Sequence, residues 1–468
     1  MTKTTKEIPQ DELRRQQGFC QRIREDWQAQ GVTPVAYVET YGCQQNEADS
    51  ERIRGMLETC GYGITDSAEG ADVVVFNTCA IREHAEQRVF GNVGALVHTK
   101  RRHPRQKIFV CGCMMGQDAV AKKMRESYRH VDGIFATHQL WQFPELLFTV
   151  LKTGKRVFSI ENSDGAIAEG LPVVRGNGLK AWVSIMYGCN NFCSYCIVPY
   201  VRGRERSRQP EEILKECREL IAQGYRELTL LGQNVNSYGK DLGLGVDFSD
   251  LLAQIAQLDG DFVLRFMTSH PKDAGVKLFD TMARYPKIAK QLHLPFQSGN
   301  DRILKVMNRH YDTKQYLALV DYARSVMPDV VLTSDVIVGF PGETQEEFED
   351  TLRLIERVRY DALFTFIYSP RGGTPAASMP DPTTREEKNR RFDRLLAVQN
   401  RISEEKHRAY IGKTVRVLTD GRDGDVLTGR TDGGRLVRFP GEDRQIGQFL
   451  SVKITGCTTW SLTGEQAE

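Results

Sequence analysis

The stretch 181–208, AWVSIMYGCNNFCSYCIVPYVRGRERSR, decides the fold. Its first six residues form a short apolar run typical of a buried strand. Directly behind them come Gly188 and three cysteines, Cys189, Cys193 and Cys196, within eight residues of one loop. In arrays of alternating strands and helices, chemistry sits at the C-terminal ends of the strands, so the loop is in the right place. Three thiolates so close together converge on one metal centre. A structural zinc site is normally closed by four ligands, yet no Cys or His follows in the next dozen residues. The centre would keep an open position, as a catalytic metal requires. The alternative is a zinc loop completed from a distance by His270 or His293.

Downstream, ELTLLG (227–232), FVLRFM (262–267), QLHL (291–294), LTSDVIVGF (332–340) and ALFTFIY (362–368) read as strands. Amphipathic patterns such as PEEILKECRELIAQ (210–223) separate them, with Pro210 at a first helical position. Six such units predict a partial (β/α)6 barrel over residues 179–409. Its end is a charged helix from about Thr384 to Ala409. Upstream, PVAYVE (34–39), ADVVVFN (71–77), KIFVC (107–111) and the short run 133–135 alternate with helical stretches. They predict a parallel α/β domain over 34–150. Residues 1–33 read as a helical or loosely ordered extension, and 151–178, rich in Gly, Asn, Ser and Asp, as a linker. Residues 410–468 carry KTVRVLTD, VLTGRT, GRLVRFP and QFLSVKIT, punctuated by Asp-Gly, Gly-Gly and Pro-Gly. That spacing predicts a small all-β barrel. The fold class is thus α/β and multidomain, with an all-β C-terminal piece.

Among the 468 residues are 63 Lys+Arg and 61 Asp+Glu, a net charge of +2. Coating of nucleic acid by bulk charge is excluded, whereas a local basic patch is not. Eleven cysteines are an odd number and too sparse for a disulfide scaffold. The N-terminal residues contain no apolar signal segment, and no long apolar run suits a membrane span. A reducing, cytoplasmic compartment is expected, where clustered cysteines serve metals or catalysis.

Three more cysteines form a subtler pattern. Cys43, Cys79 and Cys113 each fall just past one of three consecutive strands of the first domain. In a parallel sheet those ends lie along one edge. Spacing alone leaves a second reading equally open, namely three small residues in tight turns. Cys20, Cys60, Cys217 and Cys457 read as small apolar side chains, and Cys111 is ambiguous.

The C-x3-C-x2-C loop after the first strand of a partial barrel resembles the radical S-adenosylmethionine superfamily. The resemblance implies a [4Fe–4S] cluster on Cys189, Cys193 and Cys196, with the fourth iron left to chelate S-adenosyl-L-methionine. One electron then cleaves the sulfonium to a 5′-deoxyadenosyl radical, and the protein supplies orientation and water exclusion. TYGCQQNEADSERI (40–53), NTCAIREHAEQRV (77–89) and VCGCMMGQ (110–117) resemble the N-terminal domain of the methylthiotransferases. There Cys43, Cys79 and Cys113 would ligate a second, auxiliary [4Fe–4S] cluster. LLGQNVNSYG (230–239), HLPFQSG (293–299) and SDVIVGFPGET (334–344) extend the likeness, and residues 410–468 resemble a TRAM domain, a small RNA-binding barrel.

Within the methylthiotransferases, YVRGRERSR and GQNVNSYG are similar to the branch acting on isopentenylated adenosine at position 37 of tRNA, in the anticodon stem-loop. The branch implies sulfur insertion at C2 of the base and methyl transfer from S-adenosylmethionine. An external electron donor, a sulfur donor of unknown identity and a monomeric chain are expected. The alternatives are a methylthiotransferase for threonylcarbamoyl-adenosine or a ribosomal protein, and a non-catalytic iron–sulfur RNA-binding module. Gln233, Asn234, Gln297 and Ser298 stand at strand ends and, with Arg309, are candidate holders of S-adenosylmethionine. Arg202, Arg204, Arg206 and Arg208 alternate, which predicts one basic side on an extended chain, suited to phosphate. HTKRRHPRQK (98–107) reads instead as solvated surface. From Tyr410 on there are eight basic and eight acidic residues, so RNA contact there rests on placement, with Arg435, Arg438 and Phe439 as candidates.

Overall fold

The computed structural model describes residues 7–80, 83–160, 165–176 and 178–467. The first domain is a six-stranded parallel sheet in the order Gly63–Ile64, Val35–Thr40, Val73–Thr78, Lys107–Gly112, Gly133–Phe135, Val157–Ser159. Val73–Thr78 is buried along its whole length, which explains why Val73 to Phe76 are continuously apolar rather than alternating. Helices Gln10–Ala29, Gln44–Thr59 and Phe143–Thr153 cover one face through Cys20, Ile23, Ile53, Met56 and Leu147. Glu83–Arg102 and Asp118–Ser127 cover the other through Val89, Val93 and Met124.

One boundary differs from expectation, and one open reading is resolved. The N-terminal extension contains an ordered helix, Gln10–Ala29, that buries Leu13, Gln16, Phe19, Cys20 and Ile23. These positions keep helical spacing, but the Gln and Arg residues between them dilute the pattern. The stretch expected as a linker begins with the end of helix Phe143–Thr153 and supplies the sheet's sixth strand. More of it lies along the first domain, where the Val174 amide donates to the Glu51 carbonyl at 3.0 Å.

Among the described residues the barrel of the central unit has six strands: Lys180–Ser184, Glu227–Leu231, Val263–Phe266, Gln291–His293, Val331–Val338 and Ala362–Ile367. They form two parallel three-stranded sheets joined through Leu264, whose amide donates to Lys287 O at 2.8 Å and whose carbonyl accepts from Ala289 N at 2.9 Å. The partial barrel is as expected. Its largest core runs through Val183, Leu228, Leu264, Leu292 and Val336.

The C-terminal unit is a closed five-stranded barrel of Thr414–Asp423, Val426–Thr431, Leu436–Phe439, Phe449–Cys457 and Leu462–Gln466. The fifth strand follows a Thr-Thr-Trp-Ser turn with neither Gly nor Pro, so no punctuation marked it. This barrel docks against the N-terminal ends of the central strands. Lys180 pairs with Asp420 at 2.5 Å, and Arg265 donates to the carbonyls of Thr431 and Asp432 at 2.9 and 2.8 Å. Two expected RNA contacts serve this architecture instead. Phe439 is buried at the centre of the small barrel. Arg435 is buried, pairs with Asp361 and reaches His407 Nε2 at 3.2 Å. Among the described residues no helix is long and apolar enough to cross a membrane.

Candidate active site between two cysteine sets

Strand Lys180–Ser184 leads into Met186–Tyr187, which pairs antiparallel with Arg206–Ser207 and closes the cysteine loop at its base. Gly188 has φ +75°, and a Cβ there would lie 2.0 Å from Arg204 O, so only glycine fits. Within the loop, Cys189 N donates to Gly203 O at 3.1 Å and Cys196 N to Cys193 O at 2.9 Å. Phe192 is left-handed at φ 47°, and Asn308 Nδ2 holds its carbonyl at 2.9 Å. Strain in a non-glycine residue concentrates at functional sites. Thr268 (φ 67°) and Gln297 (φ 66°), at other strand ends of the same barrel, share it.

In the first domain, register brings the second set together. Thr40 lies opposite Asn77, and Thr78 opposite Gly112, so Cys43, Cys79 and Cys113 follow adjacent strand ends. Gly112 has φ +97°, and a Cβ there would meet Thr78 O at 2.4 Å; one on Gly42 would meet Cys79 Cβ at 2.5 Å. Asn46 braces the group. Its Nδ2 donates to Tyr41 O at 3.0 Å and Thr78 O at 2.9 Å, while Cys43 Sγ and Cys113 Sγ approach its Oδ1 at 3.7 and 3.8 Å.

Burial pushes the thiols of Cys113, Cys189 and Cys196 up to about 12. Ligation requires thiolate, and a guanidinium waits beside each set. Arg202 Nε donates to Cys113 Sγ at 2.9 Å, and Arg309 Nη1 to Cys193 Sγ at 3.4 Å.

Both sets face one cavity of about 170 Å³, lined by Cys43, Cys113, Cys189, Cys196, Arg202 and Gln233 among others. A second cavity of about 240 Å³ shares Cys196 and runs past Tyr195, Gln297, Asp335, Ile337 and Tyr368. The expected cofactor holders therefore divide. Gln233 and Gln297 line these cavities. Arg309 touches the loop sulfur and holds Pro295 O at 2.8 Å. Asn234 is buried with Nδ2 on Asp273 at 2.7 Å, and Ser298 Oγ accepts from Asn300 N at 3.3 Å, a turn contact.

The residues present fit an iron–sulfur cluster with a polar co-ligand. Each donor set is all thiol, as such clusters require. Among the described residues, buried polar atoms at the neighbouring strand ends have no hydrogen-bond partner: Gln233 Oε1, Asn234 Oδ1, Ser269 Oγ and His270 Nε2. Buried polar atoms are normally paired, so these suit a polar ligand. Among the described residues no three Cys, His, Asp or Glu side chains stand close enough to hold a single metal ion. The triads are spaced more widely than a one-ion site, and neither His270 nor His293 completes a zinc loop with the cysteines.

The expected one-sided strip of arginines is corrected. Arg202 ends a short helix, Val198–Arg202, which breaks the alternation. Arg202, Arg206 and Arg208 are buried, and only Arg204 is exposed. Arg208 pairs with Glu169 at 2.7 Å and Glu216 at 2.8 Å. Arg206 donates to the carbonyls of Arg204 and Arg202 at 2.8 and 3.3 Å. Arg204 stacks 4.4 Å over the Phe192 ring, itself edge-on to Tyr200, which is 43% exposed. Arg438 is half-buried and pairs with Asp423 at 3.1 Å. Sequence reasoning missed Asn46 and Asp49. Their signal was spacing, since both follow Cys43 on the inner turns of helix Gln44–Thr59.

Family models match three segments: the Radical SAM superfamily over residues 183–355, Uncharacterized protein family UPF0004 over 35–136, and the TRAM domain over 408–466. The tRNA-2-methylthio-N(6)-dimethylallyladenosine synthase of Acetivibrio thermocellus is 47% identical over 464 residues, covering 98% of this chain and 97% of that one. The enzyme of the same name from Clostridium botulinum (strain Langeland) is 50% identical over 433 residues, covering 92% and 96%. Among solved structures, the radical S-adenosylmethionine methyltransferase TsrM from Kitasatospora setae, with cobalamin and a [4Fe-4S] cluster bound, aligns with a TM-score of 0.56 at 14% identity. The alignment covers 74% of each chain. At that identity the likeness concerns the fold alone. Matched nearly end to end by these relatives, the chain belongs to the tRNA-2-methylthio-N(6)-dimethylallyladenosine synthase family of radical SAM methylthiotransferases.

Proposed function

We propose that the chain inserts sulfur at C2 of N6-dimethylallyladenosine, at position 37 of tRNA, and methylates that sulfur. The observation that carries this is the shared cavity, onto which Cys43 and Cys113 of one set and Cys189 and Cys196 of the other both open. When bound, [4Fe–4S] clusters and S-adenosylmethionine supply the one-electron and methyl-donating chemistry.

The chain's own residues do the rest. Cys189, Cys193 and Cys196 hold one cluster, and Cys43, Cys79 and Cys113 a second. Gln233, Gln297 and Arg309 orient the co-ligand at the strand ends. The apolar walls, including Leu231, Val201 and Met267, exclude water from a reactive centre. Arg204, stacked on Phe192 beside the loop, is placed to meet RNA phosphate. The remaining parts of the reading are an external electron donor, a sulfur donor of unidentified chemistry and a monomeric chain.

Two measurements test the proposal. Nucleoside mass spectrometry of tRNA from a strain lacking the gene should show the methylthio group gone from dimethylallyladenosine; an unchanged level sinks the substrate assignment. Anaerobic reconstitution should yield about eight irons per chain, since each cluster holds four. About four would remove the second centre.

A further inference from the structure

We propose that Arg202 is a positioning residue that sets the reduction potential of the centre at Cys43, Cys79 and Cys113, acting from the other domain. The inference rests on reading those cysteines as cluster ligands. Arg202 belongs to the central unit, six residues after Cys196, yet among the described residues every hydrogen-bond partner of its Nε and Nη2 belongs to the first domain. Nε donates to Cys113 Sγ at 2.9 Å, and Nη2 to Asn46 Oδ1 at 2.9 Å and Asp49 Oδ2 at 2.8 Å. Asn46 Oδ1 also lies 3.7 Å from Cys43 Sγ. The planar fork thus reaches one sulfur directly and holds Asn46 beside a second.

Its side chain is only 5% exposed. A buried cation needs compensating charge. Asp49 supplies one negative charge, but it also faces Arg52 at 3.4 Å. The remaining compensation comes from sulfur. Thiolates bound to iron cannot donate, so the Asn46 Oδ1 contacts from Cys43 and Cys113 lapse, and Arg202 remains its donor. The Nε–H stays aimed at Cys113. Hydrogen bonds to cluster sulfurs and nearby net charge both tune potential. A guanidinium favours the reduced, more negative state, and a carboxylate opposes it. Lysine would keep the charge but not the fork.

The test uses the full chain with Cys189, Cys193 and Cys196 all replaced by Ala, reconstituted anaerobically with iron and sulfide, so that one centre remains. Its midpoint potential is read by an EPR-monitored redox titration. Arg202→Gln should shift it negative by a tenfold change in the reduction equilibrium, 59 mV for one electron. Arg202→Lys should shift it less. Asp49→Asn should shift it the opposite way. A residue that merely clamps the two domains would leave the potentials equal or move both substitutions in one direction, and either result overturns the inference. If Arg202→Gln holds no iron, Asp49→Asn still decides by the sign of its shift. If the parent protein itself holds no iron, the second-centre reading fails and the inference falls with it.

Discussion

Cys189, Cys193 and Cys196 lie within eight residues of one loop, whereas Cys43, Cys79 and Cys113 come from three strand ends, 36 and 34 residues apart. The first set depends on local turn geometry, at Gly188 and Phe192. The second depends on sheet register, because a slip of one residue would carry its side chain to the other face. The loop set should therefore withstand loosening of the first domain, and the assembled set should not. The two also differ in their neighbours. Each has one guanidinium on a sulfur, but Arg309 comes from the same domain as its loop and Arg202 from the opposite one.

The largest expected effect separates their tasks. Replacing Cys43, Cys79 and Cys113 with Ala should abolish the methylthio product while S-adenosylmethionine cleavage persists. Replacing Cys189, Cys193 and Cys196 should abolish both. Product from the first variant, measured by mass spectrometry, would end the division of labour. Next in size come the glycines. Gly112→Ala should cost about 1–3 kcal/mol in backbone strain alone, more with its clash on Thr78 O, and should lose iron from the assembled set only. Gly188→Ala should do the converse at the loop. Iron counts in single-set backgrounds check this, and equal losses from both sets in either variant would erase the distinction.

A smaller effect is expected at Asn46. Asn46→Ala strips a donor from two buried carbonyls, at about 1–3 kcal/mol. The melting temperature of the metal-free chain should fall, with the loop set still able to bind iron. The smallest is Arg204→Ala. It should leave stability within about 0.5 kcal/mol and lower the salt slope of tRNA binding by about one. An unchanged slope would remove Arg204 from the RNA surface.

Much of this was legible in the sequence, for physical reasons. Short apolar runs alternating with amphipathic stretches leave a parallel sheet few alternatives, and Gly188 and the loop cysteines are local. Cys43, Cys79 and Cys113 were legible only as strand ends, and alignment of those strands is a tertiary fact. Arginine was read least well. Arg202, Arg206, Arg208 and Arg435 have the composition of an RNA surface, yet each is buried against a partner. Charge spacing does not reveal burial when the carboxylate that compensates it, such as Asp49, Glu169 or Asp361, lies far away in sequence. Phe439 shows the same limit, since an aromatic on a short strand looks alike whether it stacks on a base or fills a barrel.

The small C-terminal barrel sits at the opposite end of the central strands from the cysteine loop. The longest of those strands, Val331–Val338, has eight residues, about 26 Å at the usual rise. An RNA that touched both Arg204 and the small barrel would have to bridge that height. Such a molecule would be measured against the central unit, since a minimal hairpin confined to the cavity would leave the far barrel untouched. Binding of the hairpin should ignore Arg438→Ala, and binding of the whole tRNA should not.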